Sequence, residues 1–216
     1  MRVLIACEFS GKVREAFRKH GHDAWSCDLL PADDGSPYHY QCDVLDVLDK
    51  GWDLMVAHPP CTYLAVSGAR WLYHPDDKHL PVEKRRPHPN HPNRLSQRDE
   101  AIEFVKALMD APIDKIAIEN PVSMISGMIR PADQTFQPYH FGHLERKTTC
   151  LWLKNLPPLK HTSDLKDETM ALPPEVRDRI FLMPPSEERW KLRSETYQGI
   201  ADAMGDQWGS TMGEWL

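Results

Sequence analysis

An α/β fold built on a mostly parallel sheet is the class that this 216-residue sequence predicts. Three observations carry it. Short apolar runs with β-branched members alternate with helix-sized segments whose apolar residues recur at three and four positions. Polar residues collect at the carboxyl ends of those runs, the rim where open α/β sheets bind ligands. The length, with 41% hydrophobic residues, suits one well-cored domain.

Arg2 to Cys7 reads as the first strand. Gly11 then opens a helix in which Val13, Ala16, Phe17 and His20 share a face, and Gly21 ends it. Asp23 to Leu30 reads as a second strand, Gln41 to Val44 as a third and Asp53 to His58 as a fourth. Ser96 is expected to cap a helix with Asp99 at its third position and Ile102, Val105, Leu108 and Met109 as its stripe. Lys115 to Asn120 is the fifth strand. Residues 74–94 hold five prolines, four histidines and the run Lys84, Arg85, Arg86, with no apolar period, and are expected as a long exposed loop. Residues 157–189 are again proline-rich and charged. Right-handed crossovers between such strands bring Glu8, Asp28, Asp43, Cys61 and Glu119 to one rim.

Composition narrows the function classes. No run approaches the roughly 18 apolar residues of a membrane span, and the first residues lack a signal peptide's apolar region, so a soluble, cytoplasmic chain without a membrane partner is expected. Five cysteines, an odd number with no secretory signal, are expected as reduced thiols. A net charge of -6 argues against a general nucleic-acid coat and leaves room for a local basic groove.

Cys61 admits three readings. A metal ligand needs partners at Cys-x-x-Cys or Cys-x-x-His spacing, and with none present no metal is expected. A buried structural thiol describes Cys7, Cys27, Cys42 and Cys150 better than Cys61, because Pro59 and Pro60 remove backbone donors and force a stiff turn at the rim. A nucleophile needs partners, and Glu119 and Asn120 at the end of the next strand are the nearest by topology. A crevice carboxyl with a raised pKa donates a proton to a ring nitrogen and exposes the neighbouring ring carbon to thiolate. For Glu8, Asp28 and Asp43 the plain alternative to cofactor contact is a solvated strand end. For Lys84 to Arg86, a solvated charge run and a phosphate contact stand level.

These residues resemble the DNA cytosine-5 methyltransferase family over nearly the whole chain. Pro59-Pro60-Cys61 with Ser67 and Gly68 is similar to that family's Gly-Pro-Pro-Cys-Gln-x-Phe-Ser-x-x-Gly motif, Glu119-Asn120 to its Glu-Asn-Val, and Phe9-Ser10-Gly11 to the core of its cofactor loop. Asp28 and Asp43 stand where its ribose- and adenine-contacting acids do, and Thr196 to Gly209 resembles its closing motif. The compact pattern resembles short phage and prophage members.

The resemblance implies a Rossmann-like, S-adenosyl-L-methionine-dependent methyltransferase fold, a mostly parallel sheet with an antiparallel edge hairpin, and one catalytic domain over residues 1–216. It implies that Cys61 attacks carbon 6 of a flipped cytosine, that Glu119 supports the ring nitrogen, that Asn120 positions Glu119, and that Lys147 or Arg146 supplies a cation. Glu8, Phe9, Ser10, Gly11, Asp28, Asp43 and Pro59 would hold the cofactor, and Pro60, Thr62, Ser67 and Arg146 the substrate. The sequence departs from the pattern at Val13 and Arg14, where later glycines are usual, at Pro121 in place of valine, and at Glu145-x-Lys147-x-Thr149 in place of Gln-x-Arg-x-Arg. A short insertion at 154–193 stands in place of a target-recognition domain. The substrate is therefore DNA, duplex or single-stranded and with or without a targeting partner, or a free deoxycytidine nucleotide. A non-catalytic phage accessory protein that binds S-adenosylmethionine or DNA is the reading from another class.

Overall fold

The computed structural model describes residues 1–186 and 189–210, so the end of the expected 1–216 domain lies outside the described residues. The strands are β1 (Arg2–Ala6), β2 (Asp23–Asp28), β3 (His39–Gln41), β4 (Leu54–Ala57), β5 (Lys115–Pro121), β6 (Gln134–Phe136) and β7 (Thr149–Lys154). They form one sheet in the order β3-β2-β1-β4-β5-β7-β6. The pairs β1·β2, β1·β4, β2·β3 and β4·β5 are parallel, whereas β7 runs antiparallel to both β5 and β6. This is the Rossmann-like α/β sheet with an antiparallel edge pair. The helices are α1 (Lys12–Lys19), α2 (Arg94–Met109), α3 (Ile125–Met128), α4 (Lys166–Ala171), α5 (Pro174–Arg177), α6 (Arg179–Leu182), α7 (Arg189–Ser194) and α8 (Gln198–Gly209).

Val3 to Ala6 of β1 are all buried because the strand is covered on both faces. Val3 and Ile5 join Val13, Ala16 and Phe17 of α1 and Ala201, Met204 and Trp208 of α8. Leu4 and Ala6 point the other way, into the cluster containing Ile102, Val105 and Leu108 of α2. Helix α8 lies close on α1 because Gly205 carries no side chain: a Cβ there would sit 2.8 Å from the backbone of Ala16.

Several boundaries differ from the sequence expectation for identifiable reasons. Strand β3 comes earlier than Gln41 to Val44, because the Asp43 carboxylate accepts the Leu45 N–H at 3.0 Å and starts a 3-10 turn instead. Helix α2 begins before Ser96, whose hydroxyl donates to Asn93 O at 2.9 Å from inside the first turn. His20 is the exposed C-cap of α1 rather than part of its buried face. Residues 74–94 are more built than a plain loop. They contain 3-10 turns at Pro75–His79 and Val82–Lys84, a buried Asp77 that accepts from Arg86 at 2.7 and 2.9 Å, and a buried His88 against Trp71. Such contacts join residues without regular spacing, so apolar periodicity does not reveal them. Within 154–193, Leu159 and Ile180 are buried. Among the described residues no helix is long and apolar enough to cross a membrane.

Candidate active site

The rim is built from the turns that leave β1, β2, β4 and β5. After β1, Cys7 has φ 58° and Gly11 φ 72°, where a Cβ would collide with the Arg14 and Asp34 side chains. The chain between them folds Glu8 inward. Its carboxylate accepts from Val13 N at 2.8 Å, Arg14 N at 3.2 Å and Ser10 Oγ at 3.3 Å, so it anchors the start of α1. Burial pushes the Glu8 carboxyl up in pKa, and His58, those two amides and Arg14 oppose the rise. Arg14 is wholly buried; its guanidinium donates to Ser26 Oγ and Glu15 at 2.9 Å each and pairs with Asp34.

A cavity of about 450 Å³ opens at the carboxyl ends of β1 and β2 and against α2. The turn that follows β4 closes it with Pro60, Tyr63 and Leu64, next to the point between β1 and β4 where strand order reverses. Leu29, Val44, Leu64 and Phe104 give it apolar walls, and Asp28 and Asp43 give it carboxylates. Burial raises the Asp28 carboxyl, opposed by the amides of Leu30 and Leu29 and by His39. Flat apolar walls with two acceptors suit a heterocycle that carries hydroxyl or amine donors, and the nucleoside end of S-adenosylmethionine has that pattern.

Of the residues expected at the cofactor, Asp28 and Asp43 line this cavity, whereas Glu8, Phe9, Ser10, Gly11 and Pro59 do not. Phe9 is buried, with the Trp190 ring centred 5.9 Å away and the Lys191 ammonium 5.5 Å from its ring. Pro60, expected at the substrate, does line the cavity. So do Cys7, Cys27 and Cys42 at its base: Cys27 is a buried core thiol as expected, Cys7 and Cys42 are half-buried against the same core, and Cys27 Sγ lies 3.8 Å from Cys42 Sγ.

Beyond the cavity stands the Cys61 turn. His58 N donates to Ala6 O at 2.9 Å, the last rung between β1 and β4, before Pro59 and Pro60 end the ladder. Cys61 O accepts from Leu64 N at 3.1 Å and Ala65 N at 2.9 Å, which closes the turn with the thiol-bearing residue exposed. The atoms packed around the sulfur and the Glu119 charge raise the thiol pKa; Lys147 and Arg193 act the other way.

Glu119 is the one acid of β5, followed there by Asn120 and Pro121, and its Oε2 accepts from His58 Nδ1 at 3.0 Å. Burial alone would raise this carboxyl, but the hydrogen bond from His58, the charge that its ring carries when protonated, and the charge of Lys147 outweigh it and hold the pKa below the ordinary value. The expectation of a raised pKa at Glu119 is thereby corrected for the free protein. Asn120 Nδ2 donates to Pro59 O at 2.8 Å and ties the end of β5 to the Cys61 turn. Lys147 shares a small recess with Glu119, Thr149, Thr196 and Tyr197, and its Nζ donates to Arg193 O at 2.8 Å.

The remaining expected substrate residues lie apart from that group. Arg146 is engaged by Asp178 through two bonds of 2.7 and 3.1 Å. Thr62 and Ser67 are exposed, and Thr62 O accepts from Arg94 Nη2 at 2.7 Å. Sequence reasoning passed over His58, whose signal was available as a histidine at a strand's carboxyl end where the resembled motif has glycine. It also passed over the charge of the segment after Cys61. Residues 61–98 carry seven Lys or Arg against three Asp or Glu, in a chain of net charge -6.

No known family model and no curated protein matches the sequence. Among solved structures, the chain is similar to a protein provisionally named a DNA modification methyltransferase encoded within a prophage (E. coli), at 12% identity and a TM-score of 0.44. The match covers 80% of this chain and spans 55% of that protein's length.

Proposed function

We propose that this chain transfers the methyl group of S-adenosylmethionine to carbon 5 of cytosine in DNA, with Cys61 as nucleophile. The observation that carries the reading is one grouping: an exposed cysteine in a proline-stiffened turn, a carboxylate and a lysine on the neighbouring strand ends, and an acid-lined apolar cavity beside them. Asp28 and Asp43 would hold the nucleoside end of the cofactor, which when bound would supply an electrophilic methyl group.

The rest is the work of this chain's side chains. Cys61 loses its proton to water and the thiolate bonds to carbon 6 of the flipped base, which moves electron density toward the ring nitrogen and carbon 5. Glu119, after taking up a proton from water, delivers it to that nitrogen and recovers it when the ring re-forms, with Lys147 as the nearby cation. Asn120 keeps the two strand ends in register. Once carbon 5 carries the methyl group and the demethylated cofactor is left behind, water takes the proton from carbon 5, the sulfur–carbon bond breaks to restore the aromatic ring, and the released thiolate is reprotonated from water. The whole described chain acts as one catalytic unit in this reading, with 154–193 in place of a recognition domain.

The excess of cations after Cys61 favours nucleic acid over a free nucleotide. Incubation with radiolabelled S-adenosylmethionine and, separately, duplex DNA, single-stranded DNA and deoxycytidine nucleotides tests the proposal. Label on cytosine carbon 5, abolished by Cys61→Ala while cofactor binding persists, is the expected result. Transfer to nucleotide alone replaces the substrate, and cofactor binding with no transfer to any acceptor points to an accessory protein.

A further inference from the structure

His58 occupies a place that the proposed mechanism leaves without a role. Its backbone is the last rung of the β1·β4 pairing and Pro59 follows it, so the residue is fixed at both peptide bonds. Its side chain is 7% exposed and lies next to Glu119, itself 14% exposed, with Nδ1 and Oε2 3.0 Å apart. The other ring nitrogen, Nε2, is buried and has no hydrogen-bond partner among the described residues.

That asymmetry selects a protonation pattern. A buried N–H without an acceptor costs more than a bare lone pair, so the proton belongs on Nδ1, where the Glu119 carboxylate receives it. Glu8 is the second carboxylate whose charge interacts with the ring, but its oxygens already accept from Val13 N, Arg14 N and Ser10 Oγ. Arg14 acts on Glu8 from α1, and Lys147 acts on Glu119 from the segment before β7. Cys61, three residues after His58, feels the Glu119 charge. The ring therefore lies between an acid that is committed to the fold and one that is free to serve the site.

We propose that His58 is a positioning residue, a neutral imidazole whose Nδ1–H holds Glu119 as an oriented carboxylate beside Cys61 until a ligand arrives. Two strands are thereby coupled through one bond: β4 delivers the nucleophile and, through His58, sets the state of the acid that β5 delivers. The catalytic consequence rests on the methyl-transfer reading, but the coupling of His58 to Glu119 does not.

The test is accordingly made first on the free protein. Nitrogen NMR of the wild-type imidazoles should show His58 protonated at Nδ1 and bare at Nε2. With isotope-labelled glutamate, the Glu119 carboxyl carbon, assigned through Glu119→Gln, should titrate about 1 to 2 pH units higher in His58→Ala than in wild type, because burial is then unopposed by the ring. His58→Asn, which keeps a donor in the place of Nδ1, should return most of that shift. The opposite tautomer in wild type, or an unmoved Glu119 midpoint in a variant with native circular dichroism, overturns the proposal. If His58→Ala does not fold, the wild-type tautomer and His58→Asn still decide. In an active enzyme the pH profile of kcat should move upward with the Glu119 midpoint, while cofactor binding stays constant. A coupled pair in a protein that transfers no methyl group would refute the catalytic reading and leave the coupling intact.

Discussion

Arg14 carries a charge at a position with no solvent exposure, and the residues that make this tolerable are local and specific. Ser26, Glu15 and Asp34 take its donors from three directions. Asp34 and Glu15 remain partly hydrated, with side chains 39% and 47% exposed, so they lose less solvation than the arginine does. Removing one partner leaves the buried guanidinium undercompensated. Asp34→Ala is expected to lower stability by about 3 kcal/mol, read as a shift of the urea unfolding midpoint at constant slope. A midpoint equal to wild type would mean that water replaces the carboxylate without cost.

At the scale of elements, the contact between α1 and α8 links the start of the fold to its end. The turn after β1 feeds α1, and the residues before α8, Thr196 and Tyr197, line the recess that holds Glu119 and Lys147. Packing of α8 thus positions part of the site. Its close approach depends on Gly205, whose φ is unremarkable; space, not backbone freedom, is the reason for glycine there. Gly205→Ala should push the helices apart and cost about 1 to 3 kcal/mol by overpacking, measured as a lower thermal midpoint. The same substitution should weaken transfer activity more than cofactor binding, because the recess moves while the Asp28 and Asp43 cavity lies on the far side of β1. Equal loss of both would place α8 in general stability alone.

For the whole molecule, the distribution of charge matters more than its sum. An acidic chain is repelled by polyphosphate on average, yet the segment that follows Cys61 is cationic, with Arg70, Arg85, Arg86 and Arg94 among its members. Arg70 and Arg94 also lie against the Trp71 and Tyr63 rings at 4.9 and 5.2 Å. In the proposed reading such a surface would hold a phosphodiester chain against Cys61 by charge. Binding of DNA should therefore weaken steeply as salt rises, and replacing Arg70 and Arg85 with alanine should flatten the slope of log affinity against log salt by about one to two. A flat salt response in wild type would favour a free nucleotide as substrate.

Most of the parallel sheet and much of the rim are legible in the residues, whereas β3 lies earlier than read and the edge pair β6 and β7 was expected only from the resemblance. Strands β1, β4 and β5 were legible because a strand buried on both faces must be continuously apolar, and Pro59-Pro60 declared where β4 stops. Cys61, Glu119 and Asn120 followed from that topology, since residues just past parallel strands must share one edge. Only the tertiary structure decided which of these groups meet. It separated Lys147, beside Glu119, from Arg146, tied to Asp178, although the two are adjacent in the chain. It turned Glu8 inward onto α1, set the half-buried Cys7 and Cys42 at the wall of a cavity, and set His58 against Glu119 across 61 residues of sequence. Periodicity records which face of an element is buried, and is silent on where a polar side chain finds its partner. Those pairings depend on distances of a few ångströms between segments remote in sequence, and the ionisation of each acid at the site depends on them in turn.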